Sequence, residues 1–437
     1  MANKIENPVV IIIGAGISGL LLAQYLTLAK IPFRIFERRE NLGTTNEGWG
    51  LTLTWSLPTL RDLLPASLWH RLPEAYVDRA AVERGEASTF PFFDLSTGEL
   101  KGKTPPAPAS RRIRVNREKF RNLLATGIAI EWGKTLSSYE SAKDGVTVFF
   151  KDGSECSGSL LVGCDGTHSE VRSQLLPDAN ENYIPIRLMG TKLHMSPIEI
   201  EPLRNLDSFF LQATSSKNDT FVYFSVLDAP GNGSSRSYVA QIVVSWPYRK
   251  GFLNRDSPLA MPSSNAARLD LLKTFAETWA EPFRSLAFNL PDTAELKPLD
   301  LTDWPPAKDV HGNGRAMLVG DALHPMAMCK SWRRRVHQGR QFGKPKLMNH
   351  PGANHSIQDI QEIAQTIAPL LSGTISESTL RAAIDNYEDE VIARCRPAVL
   401  ASRQAAFDAH DYRRINPQSP LLSPRVMMIK FDEHDEV

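Results

Sequence analysis

The 437-residue sequence is poor in cysteine and carries almost no net charge. Its four cysteines form no C-x-x-C pair, which argues against a zinc finger or a disulfide scaffold. Fifty Lys and Arg residues against 49 Asp and Glu residues give a formal charge of +1, so composition does not indicate nucleic acid or an acidic membrane as a partner. With 42% hydrophobic residues the chain can bury a large core, and its length predicts two domains or one domain with an insertion.

The sequence also lacks a membrane span and a targeting signal. Its longest apolar run, residues 9–29, is interrupted by three glycines, Ser18, Gln24 and Thr27. We interpret this run as a short buried strand followed by an amphipathic helix. The polar residues 1–8 lead to no cleavage site of the secretory type. We therefore expect a soluble, cytoplasmic protein.

Hydrophobic periodicity predicts where the regular elements lie. A strand over 9–13, a helix over 17–28 and a strand over 33–36 form a β-α-β unit, and a short helix is predicted over 115–124. Strand-like segments in the middle of the chain, joined by the turn-rich residues 228–234, predict a separate sheet. Helical spacing returns over 376–408. No internal repeat is visible.

The first motif is the glycine-rich turn Gly14-Ala-Gly16-Ile-Ser-Gly19. It ends one predicted strand and opens a predicted helix, and Glu37 at the tip of the next strand lies close to the usual offset of about 20 residues. Gly14 makes the tight turn, Gly16 admits a pyrophosphate and Gly19 allows the helix to pack on the sheet. The helix amino terminus supplies N–H donors, and Glu37 can accept from ribose hydroxyls. The pattern predicts a dinucleotide site.

Two acidic turns follow further predicted strands, Asp165-Gly166 and Gly320-Asp321. The three motifs together resemble the flavoprotein monooxygenases of the para-hydroxybenzoate-hydroxylase type, especially fungal members of secondary-metabolite pathways. The resemblance runs from about residue 8 to residue 411. It implies that Asp165-Gly166 touches FAD and the reduced nicotinamide, and that the Asp321 carboxylate binds the flavin ribityl chain.

The resemblance implies further contacts to FAD. Arg117 matches the family's arginine near the flavin, and Gly50 lies where the family passes its backbone near the flavin. Gly352 and Ala353 open a helix that approaches the flavin. The alternatives are a solvated helix charge for Arg117 and a plain turn for Gly50.

Two residues of the central segment are candidates for substrate chemistry. Related fungal enzymes place an arginine and a tyrosine at positions comparable to Arg187 and Tyr223, where they hold a phenolate or donate a proton. A surface arginine and a core tyrosine are the alternatives. The sequence specifies no metal site, since His324 and His355 are isolated from other ligands in sequence.

The implied fold is α/β. A Rossmann-like FAD-binding domain would form from the discontinuous segments 1–82, 110–182 and 300–437, the last of which carries C-terminal helices. A smaller, sheet-containing substrate domain would form from 83–109 and 183–299. We expect the active site at the junction of the two domains, where pockets commonly form.

The implied activity is that of an FAD-dependent monooxygenase. NADPH or NADH reduces the flavin, O₂ gives a flavin C4a-hydroperoxide, and one oxygen hydroxylates or epoxidises a hydrophobic small molecule, with aromatic, polyketide and terpenoid compounds left open. A second G-x-G-x-x-G turn after a strand is missing, so the reductant would dock transiently. The alternatives are a flavin oxidase or dehydrogenase without oxygen insertion, and a flavin-fold binding protein without catalysis.

Residues 329–351 depart from the family pattern. These 23 residues contain seven Lys and Arg residues and no Asp or Glu, and they separate His324-Pro325 from the helix at Gly352. We interpret them as an atypical basic insertion and hypothesise a retained in-frame intron. A solvated basic loop and a nucleic-acid patch are the alternatives. The insertion is the reason for considering a protein with impaired catalysis.

Overall fold

A computed structural model describes residues 9–44, 49–233, 236–308, 311–327, 352–372 and 376–422. The basic insertion at 329–351, and with it the intron hypothesis, lies outside the described residues. Within the described ranges, no helix has both the length and the apolar character that crossing a bilayer requires.

The regular elements are numbered in chain order. The strands are β1 (Val10–Ile13), β2 (Phe33–Glu37), β3 (Gly50–Leu53), β4 (Phe92–Asp94), β5 (Leu100–Gly102), β6 (Ile113–Asn116), β7 (Ile130–Trp132), β8 (Leu136–Ala142), β9 (Gly145–Phe150), β10 (Glu155–Gly158), β11 (Leu160–Gly163), β12 (Asn182–Tyr183), β13 (Ile186–Met195), β14 (Phe210–Thr214), β15 (Phe221–Asp228), β16 (Tyr238–Pro247), β17 (Lys297–Leu299), β18 (Thr302–Asp303) and β19 (Ala316–Leu318). The α-helices are α1 (Ile17–Leu28), α2 (Leu57–Leu63), α3 (Ala66–Arg71), α4 (Arg79–Glu83), α5 (Arg117–Leu124), α6 (Glu170–Leu175), α7 (Pro197–Arg204), α8 (Asn265–Ala276), α9 (Phe283–Phe288), α10 (Gly352–Thr366) and α11 (Glu377–Ala409). Short 3₁₀ turns lie at Leu42–Thr44, Leu72–Ala75, Phe252–Asn254, Gly320–Ala322, Ala368–Ser372 and Tyr412–Arg414.

One sheet, here called the parallel sheet, has the strand order β19-β11-β1-β2-β7. Its neighbours pair in parallel, with Ile11 of β1 opposite Leu161 on one side and Arg34 on the other. All four residues of β1 are buried, as expected of a strand covered by helices on both faces. The predicted β-α-β unit is therefore found. Because the strands are parallel, their carboxyl ends meet at one edge of the sheet.

A second sheet, here called the large sheet, has the order β17-β13-β16-β15-β14-β4-β5. Its strands come from residues 92–102 and 186–299. Helices α7, α8 and α9 cover one face, where buried Trp246 packs against Phe275 with ring centroids 5.4 Å apart. The sheet predicted for the middle of the chain is present. The exact domain boundaries stay a prediction.

The boundary between β6 and α5 differs from the sequence expectation. The sequence predicts one helix over 115–124, whereas the helix begins at Arg117 and Val115 belongs to β6. The Asn116 side chain accepts hydrogen bonds from the N–H groups of Glu118 and Lys119 and so caps the helix. The helical prediction for Val115 is wrong because the apolar residue extends the strand that precedes the cap.

The second face of the large sheet turns toward the parallel sheet and the carboxyl end of α11. His410 follows α11 and is buried, with Nδ1 2.6 Å from the Ala406 carbonyl oxygen and Nε2 2.8 Å from Ser245 Oγ. Nδ1–H therefore donates to the carbonyl, and Nε2 accepts from the hydroxyl. Burial lowers the pKa of His410 to about 4, since the charged imidazolium is poorly solvated there.

This buried histidine predicts a loss of stability in mild acid. Below about pH 6.5 the unfolded chain protonates His410, whereas the folded chain resists protonation until the pH reaches about 4. We expect the free energy of unfolding to fall by about 1.4 kcal/mol per pH unit in this window through this residue alone. Urea unfolding of the wild type and of His410→Gln at pH 7 and pH 5 measures the difference. The exposed-histidine variant His70→Gln should keep the wild-type pH dependence, and an equal dependence in His410→Gln would contradict the assignment.

Candidate active site

The three sequence motifs lie together at the carboxyl edge of the parallel sheet. Gly14 follows β1, Asp165 follows β11 and Gly320 follows β19, and these strands are neighbours. Gly14 has φ +101°, and a Cβ placed on it would lie 2.4 Å from the Cys164 carbonyl oxygen. The first two motif turns are therefore in direct contact. Asp165 and Asp321 therefore lie at the same end of the sheet.

The glycine-rich turn leaves open space at one position. A Cβ on Gly19 would lie 2.0 Å from the Gly14 carbonyl oxygen, so Gly19 is required for packing of α1 on the turn. Among the described residues, a Cβ on Gly16 would meet nothing within 4 Å. Gly16 is the residue before α1, and no described side chain caps that helix end. Uncapped N–H donors beside open space fit a pyrophosphate.

Glu37 ends β2 and supports the glycine-rich turn from the side. Its Oε2 accepts a hydrogen bond from the Ala15 N–H at 2.8 Å, and Arg121 Nη2 lies 3.8 Å from the same oxygen. Arg121 Nε also donates to the Ala15 carbonyl oxygen at 2.7 Å. Arg121 is a supporting residue that the motifs in the sequence do not indicate. The backbone N–H of Arg117 bonds to the Trp49 carbonyl oxygen at 3.1 Å, and its side chain is exposed.

Asp165 acts locally as a helix cap. Its carboxylate accepts hydrogen bonds from Ser169 Oγ at 2.6 Å and from the Val171 N–H at 3.2 Å. Burial raises the pKa of Asp165, while these hydrogen bonds act in the opposite direction. Gly166 follows with φ +83°, and a Cβ on it would meet no atom within 4 Å in the part of the chain that the structure describes. The turn therefore combines the hydrogen-bonded carboxylate of Asp165 with the backbone of Gly166, which carries no side chain.

The Gly320-Asp321 turn is wedged between α1 and α10. With φ +64°, a Cβ on Gly320 would lie 2.6 Å from Ser18 Oγ and 2.5 Å from Ser356 Oγ. Position 352 at the start of α10 is equally tight, since a Cβ on Gly352 would lie 2.9 Å from Asp321 Oδ1. The structure thus brings Asp321 together with the amino end of α10, where half-buried Ala353 follows.

Asn354 is a positioning residue that the sequence did not single out. Its Oδ1 accepts hydrogen bonds from the Thr54 N–H at 2.9 Å and from Ser56 Oγ at 2.7 Å. Its Nδ2 donates to the Thr52 carbonyl oxygen at 3.0 Å. The amino end of α10 is thereby fixed to the segment that follows Gly50. Partners about 300 residues apart in sequence leave no local pattern that could have identified this contact.

Comparisons with known proteins agree with this geometry. The family described as FAD binding domain matches residues 7–329. A fungal protein of Arthroderma benhamiae, named probable FAD-dependent monooxygenase, is 40% identical over 97% of both chains. The chain is a flavoprotein monooxygenase of the para-hydroxybenzoate-hydroxylase type. These comparisons confirm the resemblance expected from the three motifs, the fungal secondary-metabolism branch and the FAD cofactor.

Further relatives support the same assignment. FAD-dependent monooxygenase dbaB of Emericella nidulans is 35% identical, and the match covers 84% of this chain and 90% of dbaB. The solved structure of 2,6-dihydroxypyridine-3-hydroxylase from Arthrobacter nicotinovorans has a TM-score of 0.68 at 17% identity, over 95% of this chain and 96% of that one. At that identity the structural match speaks for the α/β fold, which agrees with the fold class expected from the sequence.

A buried polar network lies behind the Gly320-Asp321 turn of the monooxygenase. Asp359 Oδ2 accepts hydrogen bonds from the Gly320 N–H at 2.9 Å and from His324 Nε2 at 2.8 Å, and Oδ1 accepts from Arg394 at 2.6 Å. Burial opposes ionisation of Asp359, but His324 and Arg394 outweigh it and lower the pKa of Asp359 to about 2. Burial would lower the pKa of His324, but Cys395 and Asp359 raise it well above its ordinary value.

The isolation of His324 and His355 in sequence does not hold in space. His324, Asp359 and Cys395 have their ligand atoms within 4.8 Å of one another, and Arg394 Nη1 lies 3.1 Å from His355 Nδ1. Helices α10 and α11 bring these distant residues together, so spacing along the chain does not reveal the group, and the absence of a metal site stays a prediction. The Arg394 guanidinium already neutralises Asp359, so we assign this group as a supporting network for the turn.

The structure separates the two predicted substrate residues. Arg187 of β13 pairs with Trp246, and Tyr223 of β15 pairs with Val243. Trp246 and Val243 are three residues apart on β16, so their side chains point to opposite faces of the sheet. Trp246 lies on the helix-covered face, and its partner Arg187 therefore lies there too. The Arg187 guanidinium carbon is 3.8 Å from the centroid of the Tyr248 ring. Tyr223 lies on the face toward the parallel sheet. Arg187 stays a prediction that this geometry does not support.

Proposed function

We propose that FAD lies along the carboxyl edge of the parallel sheet and that this chain transfers one oxygen atom of O₂ to a hydrophobic small molecule. The observation that carries the cofactor placement is the open space at Gly16 beside uncapped N–H donors of α1. Gly16 would hold the pyrophosphate, Glu37 the ribose and Asp321 the ribityl chain. When bound and reduced by NADPH or NADH, FAD would supply the electrons that activate O₂.

The substrate site would lie between the carboxyl edge of the parallel sheet and the face of the large sheet that turns toward it. The Gly50 N–H bonds to Gln241 Oε1 at 3.1 Å, and a Cβ on Gly190 would lie 2.9 Å from the Trp49 ring. These contacts join the two sheets, and buried Val243 and partly buried Tyr223 belong to one apolar cluster on this face, which would help to keep water out of the site. Uric acid is bound in a solved relative, Klebsiella pneumoniae HpxO, which supports a planar ring compound as substrate.

The purified protein tests this function in two steps. Co-purified flavin should give a yellow protein with an oxidised-flavin absorption spectrum. A ring compound that is a substrate should stimulate NADPH oxidation and gain one ¹⁸O atom from ¹⁸O₂. Hydrogen peroxide as the sole oxygen product would instead support a flavin oxidase, and a colourless protein that does not take up FAD would contradict the proposal.

Two carboxylate variants test the cofactor contacts. Glu37→Ala should remove acceptors for the ribose, and Asp321→Ala should remove an acceptor for the ribityl chain. A hydrogen bond to a charged acceptor is worth about 1.5–3 kcal/mol, which corresponds to FAD binding weaker by about 10- to 100-fold. Titration of the purified apo-proteins with FAD, followed by quenching of flavin fluorescence, gives the dissociation constants.

An exposed glutamate provides the matched control for these variants. Glu40 follows β2 but is exposed, so Glu40→Ala should keep the wild-type affinity for FAD. Arg121→Ala should weaken binding as well, because Arg121 holds Glu37 and the Ala15 carbonyl in place. Wild-type affinity in both Glu37→Ala and Asp321→Ala would mean that these carboxylates serve the fold alone.

A further inference from the structure

The loop that follows β16, residues 248–256, has an unusual backbone at its tip. Leu253 and Asn254 have φ +52° and +57°, in the left-handed region that residues other than glycine seldom adopt. Phe252 beside them is buried and packs against Phe275 of α8, with ring centroids 6.0 Å apart, so the loop is anchored to the large sheet and its helices. The Leu253 side chain is nevertheless 40% exposed. A strained backbone that leaves an apolar side chain in water indicates a role outside the fold.

A second exposed apolar side chain lies at the same end of the large sheet. Ile186 at the start of β13 pairs with Pro247 at the end of β16, and the Tyr248 N–H donates to the Pro185 carbonyl oxygen at 2.8 Å. The segment that precedes β13 therefore lies beside the loop. Tyr183 of this segment is 75% exposed. Tyrosine and leucine are both side chains that enter the interfacial layer of a bilayer.

The loop also carries exposed cations. Arg249, Lys250 and Arg255 are all exposed. Arg249 pairs with Asp219 at 2.7 Å, and Asp256 is the one carboxylate within the loop. Within the described part of the chain, Lys250 and Arg255 form no ion pair. The nearly neutral charge of the whole chain thus does not extend to this loop, where two unpaired cations flank the exposed leucine in sequence.

Another exposed aliphatic side chain has the opposite surroundings. Ile198 of α7 is 81% exposed, but Glu199 and Glu201 follow it within three residues. An anionic surface would be repelled by these carboxylates and attracted by the loop 248–256. Ile198 therefore provides a matched control for an exposed apolar residue without neighbouring cations.

We propose that the loop 248–256, together with Tyr183, docks the protein on the surface of an anionic bilayer. Leu253 and Tyr183 enter the interfacial layer, and Lys250 and Arg255 contact the anionic headgroups. The contact is reversible, because only two apolar side chains take part. This docking does not depend on the proposed function. It would bring the enzyme to a surface into which hydrophobic small molecules partition.

Co-sedimentation of the purified holoprotein with lipid vesicles tests the docking. Vesicles of phosphatidylcholine are compared with vesicles that contain about 30% phosphatidylserine, each in about 0.1 M and about 0.5 M NaCl. At the lower salt concentration we expect binding to the phosphatidylserine vesicles to be about 5-fold stronger than binding to neutral vesicles. The higher salt concentration should weaken it, because salt screens exposed charges.

Three variants locate the contact. Leu253→Asn removes the apolar side chain with a residue that tolerates the left-handed backbone, and Lys250→Glu combined with Arg255→Glu reverses the unpaired charges. Both should weaken binding to the phosphatidylserine vesicles by about 5-fold or more. Ile198→Ser should bind as the wild type does. Since every substituted side chain is exposed, we expect wild-type unfolding temperatures and flavin content in all three.

Several results would overturn the docking. They are no binding to either kind of vesicle, equal binding to both kinds, and unchanged binding in Leu253→Asn or in the double charge variant. Binding to soluble poly-glutamate in place of the phosphatidylserine vesicles would assign the loop to an acidic protein partner and would also overturn it. The vesicle assay needs no substrate, so its failure leaves the proposed oxygen transfer unaffected.

Discussion

Gly16→Val is expected to abolish FAD binding while the apo-protein remains folded. A Cβ at this position meets no atom of the described residues within 4 Å, so the larger side chain has room beside them. The same side chain would fill the space in front of α1 where the pyrophosphate approaches the backbone. We expect the FAD dissociation constant to rise more than 100-fold, equivalent to about 2.7 kcal/mol or more. Flavin fluorescence titration and thermal unfolding of the apo-protein measure the two effects separately.

The other two glycines of the turn provide matched controls with the opposite outcome. Gly14→Val combines φ +101° with a Cβ 2.4 Å from the Cys164 carbonyl oxygen, and Gly19→Val would place its Cβ 2.0 Å from the Gly14 carbonyl oxygen. Both should reduce the yield and the unfolding temperature of the protein itself. Normal FAD affinity in Gly16→Val would remove the observation on which the cofactor placement rests.

Asp359→Ala is expected to cost about 3–5 kcal/mol of folding free energy, because it leaves two buried cations without their shared counter-charge. Asp359 and His324 are both 0% exposed, and Arg394 lies 2.6 Å from the carboxylate. The variant should also bind FAD more weakly, since the Gly320 N–H loses its acceptor at 2.9 Å. Urea unfolding of the apo-protein at pH 7 gives the stability, and FAD titration gives the affinity.

A surface carboxylate serves as the control for this loss. Asp62 pairs with Arg61 at 3.4 Å with both side chains about 60% exposed, so Asp62→Ala should change stability by less than about 1 kcal/mol. His324→Ala combined with Asp359→Ala should cost less than the sum of the single changes, because the two residues act as one network. Additive costs would show that His324 and Asp359 contribute independently.

The motifs were recognisable in the sequence because they depend on local chemistry. A glycine-rich turn between a strand and a helix, and acidic turns after later strands, need only a few consecutive residues to be identified. The assignment of β1, α1 and β2 followed from periodicity in the same way. The start of α5 was misplaced, since Val115 is compatible with both a strand and a helix and only the Asn116 cap decides between them.

The position of Arg187 shows what the sequence left open. Arg187 and Arg114 are both arginines beside apolar residues, and a strand's face cannot be assigned until its register with a neighbour is known. Pairing of β13 and β15 with β16 puts Arg187 on the helix-covered face. Arg114 reaches Ser225, a residue 111 positions away, through the packing of β6 against β15.

The sequence by itself determined the cofactor class, the order of the FAD-contacting motifs and the existence of two sheets. Each depends on residue types within a short stretch of chain. The tertiary structure alone decided which side chains support those motifs, because Asn354 with Thr54 and Asp359 with Arg394 meet only after α10 and α11 pack behind the parallel sheet. It also decided that the Arg114 guanidinium is buried between Thr52 and Ser225, since burial arises from the packing of the whole chain.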